Sequence, residues 1–147
     1  MFVQFIVGML ASLSFAVLFS APKKQLIFCG LTGAIGWVVY LLCLNLGTSV
    51  SIANMTATFA LTLISRSIAS LRKTPVTVYL VIGIFPLVPG AGIYYTSYHF
   101  MMNEMIPFSQ AASDTLKTAG AIALGIAFGF ALPQSWFHAL QRLRFRR

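Results

Sequence analysis

The groups of this chain that could do chemistry lie in two apolar runs. In the run from Val50 to Leu71, the polar residues Ser51, Asn54, Thr58, Thr62 and Ser65 recur every three or four positions. On a helix turning by about 100° per residue they form one narrow polar face. Hydroxyls on such a face either pack helices together, with interhelical hydrogen bonds worth about 1 kcal/mol each, or wall a polar pathway. Packing is the better reading for the hydroxyls. Asn54 and Arg66 cost more to bury, which makes them the candidate substrate-binding side chains of this run. For Arg66, near the end of the run, the competing reading is a guanidinium that snorkels to the headgroups.

The second run, Val76 to Met101, contains GIFPLVPGAGIYY from Gly83 to Tyr95. Pro86 has no amide for the carbonyl of Ile82 and Pro89 none for that of Phe85, so a helix must break here and two carbonyls are expected to be freed. Past the break, the amides of Gly90, Ala91 and Gly92 open a second half-helix without a side-chain cap. Such amides attract anions, a carboxylate included. Discontinuous helices of this kind recur at the substrate sites of secondary transporters; the plainer alternative is a proline kink satisfied by neighbouring helices. Two prolines and a glycine together favour binding, with Arg66 about two or three turns nearer the cytoplasm.

No HExxH, P-loop or GxSxG occurs, and no acidic pair is spaced for a metal. The chain therefore reads as a non-enzyme with no metal and no cofactor. The acidic residues Glu104 and Asp114 fall at the outer ends of apolar runs, and His99 beside Tyr94, Tyr95 and Tyr98 reads as part of an interfacial aromatic belt. None of His99, Glu104, Asp114 and His138 is expected at mid-membrane, so any proton-coupling group is expected from a partner chain.

These groups must be positioned by membrane helices. The 147 residues are 59% apolar and 8% charged, with a mean hydropathy of +0.88, far from the composition of a soluble domain. A span takes roughly 20 apolar residues, so an all-α bundle of about five transmembrane helices is expected, forming a single integral membrane domain over residues 1–147. The runs are Phe2 to Ala21, Leu26 to Leu46, Val50 to Leu71, Val76 to Met101 and about Thr115 to Phe137, with the fourth broken at its Pro-Gly cluster. The first lacks a basic leader and has Pro22 where a signal peptidase would cut, so it reads as a retained span.

The net charge of +8 is explained by membrane orientation rather than by nucleic acid. Lys23 with Lys24, Arg72 with Lys73, and the tail residues Arg142, Arg144, Arg146 and Arg147 all fall on one side of a five-span layout. The positive-inside rule then puts the N-terminus outside and the C-terminus in the cytoplasm. The tail from Trp136 interleaves apolar residues with its arginines, as an interfacial helix on anionic lipid does. Cys29 and Cys43, about 21 Å apart on one helix, cannot pair with each other. Gly30, Gly33 and Gly36 in the second run, and Thr118, Ala121, Gly125 and Gly129 in the fifth, mark faces for close helix packing.

FAVLFSAPKKQLIFCGLTGAIGW (residues 15–37) and RKTPVTVYLVIGIFPLVPGAGIYY (residues 72–95), with AIALGIAFG (residues 121–129), resemble the small subunit of the threonine/serine exporter family over nearly the whole chain. The most specific elements are Pro86, Leu87, Val88, Pro89 and Gly90 after Thr74 and Pro75, then the three glycines before Trp37. The resemblance implies a five-span half, either separate or fused behind a larger half that has a cytoplasmic N-terminal region. It also implies proton-driven export of small amino acids such as threonine and serine, or of a dicarboxylate such as succinate, in a bacterial inner membrane and in obligate partnership with the larger half. It transfers no role to Arg66 or Asn54. The expected function is thus a subunit of a secondary exporter of small carboxylate-bearing metabolites. The alternative is a non-transporting partner that stabilises the larger subunit through its glycine faces, and a homo-oligomer remains open beside either.

Overall fold

The computed structural model describes residues 1–133, and among these the chain is all-helical. Helix α1 is Phe2–Leu18, α2 Leu26–Asn45, α3 Val50–Arg72, α4 Thr77–Ile84, α5 Gly90–Met101 and α6 Met105–Ala131. The basic tail from Trp136 onward and His138 lie outside the described residues, as does the end of the fifth run at Phe137.

Local signals set the boundaries. Ser49 caps α3 by accepting the amide of Ile52, as a Ser at that position does. Helix α3 stops where Lys73 turns left-handed at φ 53°, and α5 where Asn103 does so at φ 58°. In the second case the Glu104 amide reaches back to the His99 carbonyl at 2.9 Å, which closes the helix end.

Helix α6 departs from expectation, starting at Met105 instead of near Thr115. Ser109, Gln110 and Ser113 make this stretch look like a loop, and Pro107 looks like a breaker. Yet Pro107 occupies the first turn, where no intrahelical donor is missed.

Small residues bring the helices together. Helix α1 packs on α2, α2 on α3 and α4, α3 on α6, and α5 on α6. Gly33 of α2 faces Ser12 of α1 so closely that an added Cβ would overlap its hydroxyl, and a Cβ at Gly36 would lie 2.7 Å from Leu61 of α3. Gly125 and Gly129 of α6 seat Thr58 and Thr62 of α3 in the same way. The glycine faces of the second and fifth runs are thus occupied within this chain, which removes them as the contact surface of a scaffolding partner. Cys29 and Cys43 are free thiols.

Among the described residues, Lys23–Asn45 is by itself long and apolar enough to cross a membrane. Thr77–Leu87 and Gly90–Met101 do so together, across a bend of 55°. Helix α1 is apolar but has only 17 residues. Helices α3 and α6 have the length, and the polar residues along them dilute their apolar character.

Candidate functional site

The break between α4 and α5 is built from backbone closures. The Ile82 carbonyl, which loses its usual donor to Pro86, accepts the amide of Phe85, and the Phe85 carbonyl accepts that of Val88 at 3.2 Å. Both carbonyls expected to be free are therefore taken up by the tighter 3₁₀ turn Phe85–Leu87. Pro89, at φ −76° and ψ 59°, then forms an inverse γ-turn in which the Gly90 amide donates to the Val88 carbonyl at 2.7 Å. Of the three amides singled out by sequence, that of Gly90 is engaged. Those of Ala91 and Gly92 make no hydrogen bond among the described residues.

These two amides open onto a cavity of about 460 Å³, within the size range of small-molecule sites. Pro86, Pro89, Gly90, Ala91, Gly92 and Asn54 all line it. A Cβ at Gly90 would meet open space, whereas Gly92 lies so near Thr115 of α6 that a Cβ would overlap its hydroxyl. Asn54 is 3% exposed, and its Nδ2 donates to the Val50 carbonyl at 2.9 Å, leaving Oδ1 as an acceptor. Trp37 and Tyr40 of α2, stacked with ring centroids 5.3 Å apart, form an aromatic wall.

Arg66 stands elsewhere, beyond the set that lines this cavity. It is 8% exposed, its Nη1 donates to the Gly129 carbonyl at 2.6 Å, and its guanidinium lies 5.7 Å from the centre of the Phe130 ring. Gly129 is in the last turn of α6, whose carbonyls lack intrahelical donors and carry the negative end of the helix dipole. Arg66 therefore caps α6.

The hydroxyls of the α3 face mostly serve their own helix. Thr58 donates to the Asn54 carbonyl at 2.8 Å and Thr62 to the Thr58 carbonyl at 2.7 Å; the Thr58 hydroxyl also lies against Gly125 of α6, whereas Thr62 meets Gly129 with its Cβ and methyl group. Ser65 is fully buried, and its hydroxyl has no hydrogen-bond partner among the described residues.

Asp114 is what the sequence reading misplaced. Because α6 starts at Met105, Asp114 is inside the helix and lines the cavity with Thr115 and Thr118. The signal was present: continuing the face of Thr118, Ala121, Gly125 and Gly129 backwards by four positions arrives at Asp114. Its Oδ1 accepts from Lys117 Nζ at 3.2 Å, with side-chain exposures of 78% for Asp114 and 64% for Lys117. His99 and Glu104 pair at 2.6 Å across the α5–α6 turn, away from the cavity. Among the described residues no group of three His, Cys, Asp or Glu side chains is placed to hold a metal.

Residues 4–132 match the family described as threonine/serine exporter, ThrE. An uncharacterized protein of Haemophilus influenzae is 26% identical over 133 residues, covering 86% of this chain and 44% of its own length. The chain thus spans less than half of that relative. No solved structure matches it.

Proposed function

The chain belongs to the threonine/serine exporter family, and on that premise we propose that it is one half of a secondary exporter of small carboxylate-bearing metabolites. Membership implies a membrane location and a transport role. The finer reading is a five-span bundle in a bacterial inner membrane, comprising α1, α2, α3, α4 with α5, and α6, with the N-terminus outside and the C-terminus in the cytoplasm. A larger half of the same family works with it. The substrate is an amino acid of the threonine/serine type or a dicarboxylate such as succinate.

The observation that carries this reading is the cavity at the broken helix. Its two open amides, at Ala91 and Gly92, sit at the positive end of α5, where a carboxylate gains both donors and dipole. Asn54 Oδ1 supplies an acceptor for a substrate hydroxyl or ammonium. In the proposed orientation α5 runs outward, so the open amides face a substrate arriving from the cytoplasm. Arg66 belongs to the frame in this scheme and the transport site does without it.

The test is efflux of labelled threonine and succinate from cells making this chain alone, the larger half alone, or both. Efflux is expected only with both, and efflux from this chain alone would refute the two-part reading. Replacing Pro86, Pro89 and Gly90 together by Leu fills the cavity and removes the turn that exposes the amides. Export should fall to background while membrane insertion persists; undiminished export from the inserted variant would overturn the site.

A further inference from the structure

The surface of this chain is uneven in a way the cavity does not explain. Helix α1 turns Phe2, Val3, Ile6, Val7, Leu10, Val17 and Leu18 outward, a surface suited to lipid. Helix α6 exposes Gln110, Ser113, Asp114 and Lys117 along one face. Its 27 residues make it about 40 Å long, close to the full thickness of a bilayer with its headgroups. Thr118 is the middle residue, so Asp114 and Lys117 lie within about two turns of mid-helix. An ion pair at that height facing hydrocarbon is costly, and intramembrane charges in general face protein or water. Helix α5, which packs chiefly on α6, contains no fully buried residue, so among the described residues none covers the α5–α6 hairpin on this side.

The geometry points to this face of α6, centred on Asp114 and Lys117, as the surface on which the second membrane half docks, closing the open side of the cavity. The inference rests on the two-part reading above and adds where the halves meet. The occupant is a membrane helix of the larger half carrying charged or amide side chains at the depth of Asp114. More than half of the Haemophilus influenzae relative lies outside its match to this chain, which is chain enough for such a neighbour. A second copy of this chain fits poorly. Two copies in one membrane share an orientation, so a two-fold axis runs along the membrane normal and brings each residue to its own copy at equal depth. Asp114 would approach Asp114 and Lys117 would approach Lys117. Because Asp114 lines the cavity as well, the docked half shares a wall with the transport site.

A photo-crosslinking amino acid placed singly at Gln110 or Leu124 on this face, and at Ile6 or Leu10 on α1, tests the placement in membranes that contain both halves. The α6 positions should give an adduct with the mass of this chain plus the larger half, and the α1 positions none. Adducts only from α1, with co-purification intact, would overturn the docking surface and leave the two-part exporter standing. A chain that never co-purifies with the larger half refutes the two-part reading itself, and an adduct of twice 16.0 kDa would assign the face to a second copy. As an independent variant, Asp114→Leu with Lys117→Leu should raise recovery of this chain made alone, since its charges no longer face lipid, and lower co-purification of the larger half about tenfold. Unchanged co-purification would count against the proposal.

Discussion

Helix α6 has two sides, and they treat polarity in opposite ways. Toward α3 it offers Gly125 and Gly129, against which Thr58 and Thr62 rest with their hydroxyls turned back onto their own helix. Toward the outside it offers Asp114 and Lys117, whose charges no backbone carbonyl of α6 could neutralise. A hydroxyl satisfies itself within a turn of helix and so can serve in a dry seam. A carboxylate or ammonium needs another charged or wet group, and here Asp114 and Lys117 have each other at the surface of this chain. Burial of a polar stripe therefore marks packing here, while exposure of one marks work.

The strongest way to break this comparison is Gly125→Leu. Its side chain would collide with the Thr58 hydroxyl and the Met55 backbone, which cannot move aside as a flexible side chain does. A loss of about 3 kcal/mol, the upper end for overpacking, is expected, read as a collapse of the folded fraction in a detergent unfolding titration. A stable Gly125→Leu chain would mean the α3–α6 seam is looser than described.

Arg66→Ala should come next, at about 2–3 kcal/mol, for a charged hydrogen bond lost from a buried site. Export per folded molecule should hold, because the residue caps α6 and stands away from the cavity. Abolished export with normal stability would return Arg66 to the transport path. The smallest effect is expected from Thr62→Val, which keeps the shape and removes a hydroxyl bonded only to its own helix. The cost should stay below about 1 kcal/mol, with export unchanged. A transport defect there would make the buried stripe a pathway after all.

Periodicity and composition made α2, α3 and the broken fourth run legible to within a residue or two, because each is bounded by a cap, a proline or a glycine acting over one turn of chain. Asn54 and the amides of Gly90, Ala91 and Gly92 stand out in the sequence each by its own chemistry, and the structure lines one cavity with all four; depth along the helices tied those amides to Arg66, which stands outside that lining. Three things were hidden. The start of α6 was masked by polar residues that tertiary packing tolerates, and with it the depth of Asp114. The closure of the Ile82 and Phe85 carbonyls depends on local dihedral choices that composition does not encode. The role of Arg66 depends on Gly129, 63 positions away, and no local pattern reports a contact at that separation.

That separation also sets a clock on biogenesis. Arg66 is synthesised with α3, but the Gly129 carbonyl that receives it is made 63 residues later, a delay of roughly 3–13 s at about 5–20 residues per second. Throughout that interval the nascent chain carries a guanidinium whose final acceptor has not been synthesised. The bundle is latched only when the last turn of α6 arrives, so a chain truncated before Gly129 lacks this latch and offers membrane proteases a means of telling an unfinished copy from a finished one.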